Sequence, residues 1–122
     1  PGLLETVYEV ALARLMEAKG LTVQRQVPVP IQLLDMTFDE GFRADLIINQ
    51  CFLIELKSVE KIAPVHAKQT LTYLRLLGFP LGLLINFGDA TFKEGCKRIV
   101  NQHTNFASSR LRVNQKGECS DG

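Results

Sequence analysis

The chain has 122 residues, 46% of them apolar and 22% charged, with a formal net charge of +1. That is enough for one domain with a real hydrophobic core, and too apolar for a disordered or fibrous chain. Near-neutrality gives no strong pointer to nucleic acid. Apolar runs such as Leu81 to Ile85 are far too short to span a bilayer, so no membrane is expected.

Gly2 to Lys19 reads as a helix, because Leu4, Tyr8, Ala11 and Leu15 recur at helical spacing and Gly20 supplies a stop. Leu21 to Leu34 is extended: Val23, Val27, Val29, Ile31 and Leu33 alternate with other residues, while Pro28 and Pro30 forbid a helix and suit an edge strand. Asp35 to Gly41 is a polar turn region. Phe42 to Ile48 and Cys51 to Lys57 are two strongly apolar strands joined at Asn49-Gln50. Pro64 opens a second helix that runs to Leu77, where Gly78 and Pro80 end it. Leu81 to Asn86 is a short buried strand, and Phe92 to Val100 a short third helix. Arg110 to Val113 is a further candidate strand. The expected organisation is one domain over residues 1–113 and a disordered tail over 114–122.

Short-linked consecutive strands imply antiparallel pairing, and the strand-helix-strand passage implies a parallel pair. The fold class is therefore α/β in the α+β sense: a mixed sheet flanked by helices. Cys51, Cys96 and Cys119 show no paired spacing and no secretory segment opens the chain, so reduced thiols and a cytoplasmic location are expected. No zinc-type Cys or His spacing is present. The chain starts at Pro1 rather than Met, as a fragment of a longer protein would.

The informative stretch runs from Asp45 to Glu55-Leu56-Lys57. Charges in such apolar strands are costly unless paired or bound to a metal. Glu55 and Lys57 are two apart and share a strand face. A carboxylate pair binds Mg²⁺ through oxygen, and a neighbouring lysine can orient water or offset developing negative charge. A salt bridge across the hairpin is the plainer alternative; three such charges in core-like strands favour the metal site. A strict two-residue turn would pair Asp45 with Ile54 and send Asp45 and Glu55 to opposite faces. A shared ion therefore requires one more residue in the turn, or a bulge, and that shift is predicted.

Glu5 falls inside the apolar arc of the first helix, and Glu9 at its edge. Glu5 has three readings: a further metal ligand, a partner of Lys57, or an acid favoured by the helix dipole. On the second helix, His66, Gln69 and Tyr73 form one stripe. Gln69 is placed either to reach Lys57, a metal water or a phosphate, or to sit on a solvated flank. From Ala90 to Lys116, Lys93, Lys97, Arg98, Arg110, Arg112 and Lys116 outnumber the lone Glu94. Such a stretch can meet phosphates or form a solvated surface.

Gly2-Leu3-Leu4-Glu5-Thr6-Val7-Tyr8, Arg25 to Pro30, Phe42-Arg43-Ala44-Asp45, Ile54-Glu55-Leu56-Lys57, His66-Ala67-Lys68-Gln69 and Gly82 to Phe87 together resemble the PD-(D/E)XK nuclease superfamily. Within it they resemble the bacterial group named for a GxxExxY signature. The resemblance runs from Gly2 to about Val100. It implies a restriction-endonuclease-like αβββαβ core and hydrolysis of DNA, or alternatively RNA, with Mg²⁺ or Mn²⁺. It also implies that Asp45 and Glu55 are metal ligands, that the Leu56 carbonyl completes the shell, and that Lys57 is the catalytic lysine. Glu5 matches an acidic residue of the first helix and Gln69 a polar residue of the helix after ExK. Ala44 stands where the signature's proline would be. A nuclease this small is expected to act as a homodimer or with a partner protein. The competing expectation is a binding or assembly module that keeps the fold without the chemistry.

Overall fold

The structure is a computed structural model, and it describes residues 3–33, 36–38, 43–88, 91–102, 111–113 and 119–121. Helix α1 spans Leu3–Ala18 and strand β1 Val23–Pro28. Strands β2 (Ile31–Leu33), β3 (Met36–Phe38), β4 (Arg43–Ile48) and β5 (Phe52–Lys57) follow. Helix α2 spans Pro64–Leu77, β6 Leu81–Asn86, the single turn α3 Phe92–Gly95 and β7 Cys96–Val100. Strands β8 (Leu111–Val113) and β9 (Cys119–Asp121) close the chain.

A five-stranded sheet in the order β1-β4-β5-β6-β7 is the frame. Only β5 and β6 run parallel, joined through α2; the other neighbours are antiparallel. This is the mixed α+β sheet expected of a restriction-endonuclease-like core. The edge position predicted from Pro28 is also found, since β1 has β4 as its one neighbour.

Two cores lie on the two faces. Ala13 of α1 packs with Leu46, Ile48, Ile54, Leu56 and Ile85. Tyr73 and Leu74 of α2 pack with Val29, Ile47 and Leu53. Fully burying one such aliphatic side chain contributes about 2 kcal/mol. The helix ends follow local chemistry. Pro64 occupies the first turn of α2, and the Ala63 N–H donates to His66 Nδ1 at 2.9 Å. Gly78, at φ 73°, ends α2 in the left-handed conformation, with the Phe79 N–H donating to the Leu74 carbonyl.

Four readings need correction or addition. Leu4 and Leu15 of the expected stripe do not face the core, being 51% and 62% exposed, while Glu9 and Ala13 are buried. α1 is turned so that Glu9, Leu12, Ala13 and Met16 meet the sheet, and Tyr8 of the stripe stacks on Phe87. Residues 36–38, expected in a turn, form β3 and pair with β2. The third helix stops after one turn, and Cys96–Val100 instead pairs with β6 as β7. A helix that short is marginal alone, whereas the open edge of β6 offers a full ladder. Cys51 is disulfide-bonded, against the expectation of reduced thiols, whereas Cys96 is free.

β8 pairs with β9 across the boundary expected between domain and tail, and residues 114–118 and 122 lie outside the described residues. No helix among the described residues is long and apolar enough to cross a membrane.

Candidate metal centre

The β4–β5 hairpin carries the predicted shift. Leu46 pairs with Ile54 and Ile48 with Phe52, so the turn takes in Asn49, Gln50 and Cys51. Asn49 and Gln50 have φ values of 50° and 59°, and the Cys51 N–H donates to the Ile48 carbonyl at 3.1 Å. One step beyond Leu46–Ile54, Asp45 stands level with Glu55. Strand alternation sets Glu55 and Lys57 apart from Ile54 and Leu56, which pack on the α1 face, whereas Asp45 also lines a cleft beside α1.

Here each acid accepts from a backbone N–H of the neighbouring strand. The Asp45 N–H donates to Glu55 Oε1 at 3.3 Å, and the Leu56 N–H donates to Asp45 Oδ2 at 2.7 Å. The two carboxyls also interact directly. Burial is the main cause that raises both: Glu55 is pushed up to about 9, with the Asp45 charge as the next cause, and Asp45 is raised despite its bond from Leu56. The Lys57 ammonium opposes both shifts, and the Glu9 charge adds to the rise at Asp45. Burial thus holds both carboxyls toward their protonated forms.

Lys57 is half-buried and makes no ion pair among the described residues. Its backbone is pinned from β6, where the Phe87 N–H donates to the Lys57 carbonyl at 2.8 Å. The following loop is clamped by buried Asn86, whose Oδ1 accepts from the Val59 N–H and whose Nδ2 donates to the Val59 carbonyl, both at 2.9 Å. Gly88 lies against Val59 so closely that any side chain there would overlap the Val59 carbonyl.

Glu5 reaches this region by another route. Its Oε1 accepts the Ser58 N–H at 3.0 Å. It lines a cleft of about 240 Å³ with Thr6, Glu9, Gln26, Asp45 and Leu56. Gln69 is exposed and donates to the Tyr73 hydroxyl at 3.2 Å. Tyr73 is raised by burial first; the bond from Gln69 lowers it, and the charges of Glu55 and Asp45 add to the rise, which places that phenol near the acid pair.

Three residues of the site's surroundings were given no role by the sequence reading: Glu9, Arg25 and Gln26. Glu9 is 3% exposed and pairs with Arg25 at 2.8 Å. The signal was there in the i, i+4 spacing of Glu5 and Glu9, which puts both acids on one side of α1. Among the described residues, no three Asp, Glu, His or Cys side chains converge as a ready metal cage. The acid pair thus offers two carboxylates, and further donors must come from the backbone, from water or from a substrate.

The comparisons agree with this geometry. The crystal structure of SSO0001 superposes with a TM-score of 0.59 at 19% identity, covering 80% of this chain, and shows the likeness of fold. The chain spans about half the length of that structure. No curated protein matches. The model of the PD-(D/E)XK nuclease superfamily matches residues 1–99, from the first helix through Lys57 to β7. By that match, which takes in most of its length, the chain belongs to the PD-(D/E)XK nuclease superfamily.

Proposed function

We propose that the chain is a Mg²⁺- or Mn²⁺-dependent phosphodiesterase that hydrolyses DNA, with RNA as the alternative substrate. One observation carries the reading: Asp45 and Glu55 meet at the point where β4 and β5 stop pairing through their backbones. Two acids buried together are an expensive arrangement in a strand core. A divalent cation held by both carboxylates would offset that cost.

The donor set fits a hard cation. Asp45 and Glu55 would hold it with the backbone carbonyl of Leu56. That carbonyl shares the strand edge from which the Leu56 N–H reaches Asp45. When bound, such an ion supplies Lewis-acid polarisation of a phosphodiester. Lys57 lies two residues beyond Glu55 on the same face, positioned to orient the attacking water and to offset charge on the phosphate. Glu5, holding the Ser58 N–H, fixes the backbone just past Lys57. On α2, Gln69 donates to the Tyr73 hydroxyl and would act on the site through that phenol.

The test is cleavage of plasmid, single-stranded and branched DNA, and of RNA, with Mg²⁺, Mn²⁺ or chelator. Cleavage that needs the metal and is lost in Asp45→Asn supports the reading. Intact substrates with every metal, from a folded protein, sink it. The second reading, a binding or assembly module, is favoured by the lack of a third convergent acid among the described residues. It predicts nucleic-acid or protein binding without metal uptake. For the active form we propose a homodimer or a complex with a partner protein, tested by sedimentation with and without DNA.

A further inference from the structure

β1 pairs with β4 through Arg25–Leu46 and Val27–Ala44 but omits the residue between them, Gln26, which stands level with Asp45. Gln26 has φ 51°, in the left-handed region. A residue with a Cβ takes that conformation at a cost, and keeps it inside a strand only where its surroundings fix it.

The surroundings are on α1. In a regular strand, neighbours point to opposite faces, so Arg25 and Gln26 would not reach one common group. Here both reach Glu9. Arg25 Nε and Nη2 donate to Glu9 Oε2 at 3.0 and 2.8 Å, and Gln26 Nε2 donates to Glu9 Oε1 at 2.5 Å. The left-handed turn brings the second donor round. The same Nε2 lies 3.4 Å from Asp45 Oδ1. An amide nitrogen carries two hydrogens, one for each carboxylate. Glu9, buried and paired with Arg25, only accepts, so it dictates that the nitrogen end of the amide faces the acids.

We infer that Gln26 is a positioning residue for Asp45, held in place by the Glu9–Arg25 pair, and that it sets the orientation in which Asp45 takes a divalent cation. Leu56 fixes Oδ2 of that carboxylate and Gln26 fixes Oδ1. The inference rests on the reading of Asp45 as a metal ligand. It adds a chain of control that starts on α1 and ends at the ion.

The experiment is Mn²⁺ calorimetry at fixed pH on the wild type, Gln26→Gly and Gln26→Asn, with thermal midpoints measured beside it. Glycine takes φ 51° freely, so it removes the amide and keeps the backbone. Asparagine tolerates the same φ but is too short to span both carboxylates. Both variants should bind Mn²⁺ about tenfold more weakly or worse, the scale of an outer-shell loss, at an unchanged or higher midpoint. Affinity within twofold of wild type in either folded variant overturns the inference while leaving the metal reading intact. So does a fall in affinity that merely follows a fall in midpoint. A wild type that takes up no Mn²⁺ overturns the metal reading, and this inference with it.

Discussion

The Asp45 N–H donates to the Glu55 carboxylate at 3.3 Å, one step beyond Leu46 and Ile54, the last paired residues of the hairpin. The strands therefore part around two acids instead of burying them singly. Burial penalises charge on both residues and pushes both carboxyls toward their protonated forms.

The raised Glu55 carboxyl gives a pH signature. Glu55 sits at about 9 when folded, against an ordinary 4.5. Its contribution to stability is greatest below about pH 4.5 and is lost as pH rises toward 9, because the folded state binds the extra proton. In chelator, the thermal midpoint should fall between pH 5 and 9, and Glu55→Gln should flatten the fall. Mn²⁺ binding near pH 7 should release about one proton, read by calorimetry in buffers of different ionisation enthalpy.

Lys57→Ala should reduce cleavage by about 10²- to 10⁴-fold. Mn²⁺ affinity should change little, since the ammonium is not a ligand. Single-turnover cleavage and calorimetry on the same preparation separate the two effects. Retained cleavage would refute the role given to Lys57.

Gly88→Ala should destabilise the fold by about 2 kcal/mol, the usual scale of overpacking, because the new methyl meets the Val59 carbonyl. Urea unfolding measures this. Cleavage should fall as well, since the Val59 loop follows Lys57 directly.

Leu15→Ala should cost less than about 0.5 kcal/mol, as an exposed position does. A core leucine would cost about 2–5 kcal/mol. Thermal or urea unfolding thus tests the orientation of α1.

Much of the frame was legible because its signals are local. Pro64 and Gly78 bound α2 where the sequence put them. Asp45, Glu55 and Lys57 stood out as charges among Leu and Ile, and the demand for a shared face correctly required a longer turn. The misreadings are cases where tertiary contacts decide. α1 turns Glu9 inward toward Arg25 and Gln26, and Leu4 and Leu15 are left outside. That arrangement depends on the left-handed φ of Gln26, which no periodicity reveals. β7 forms because β6 leaves an edge open, a fact about the sheet rather than about Cys96–Val100.

The most direct test is a crystal grown with Mn²⁺ and examined by anomalous scattering. The account predicts one peak bridging the Asp45 and Glu55 carboxylates, with the Leu56 carbonyl as a third ligand. Well-ordered carboxylates with no peak between them, at millimolar Mn²⁺ and pH 8, would contradict it.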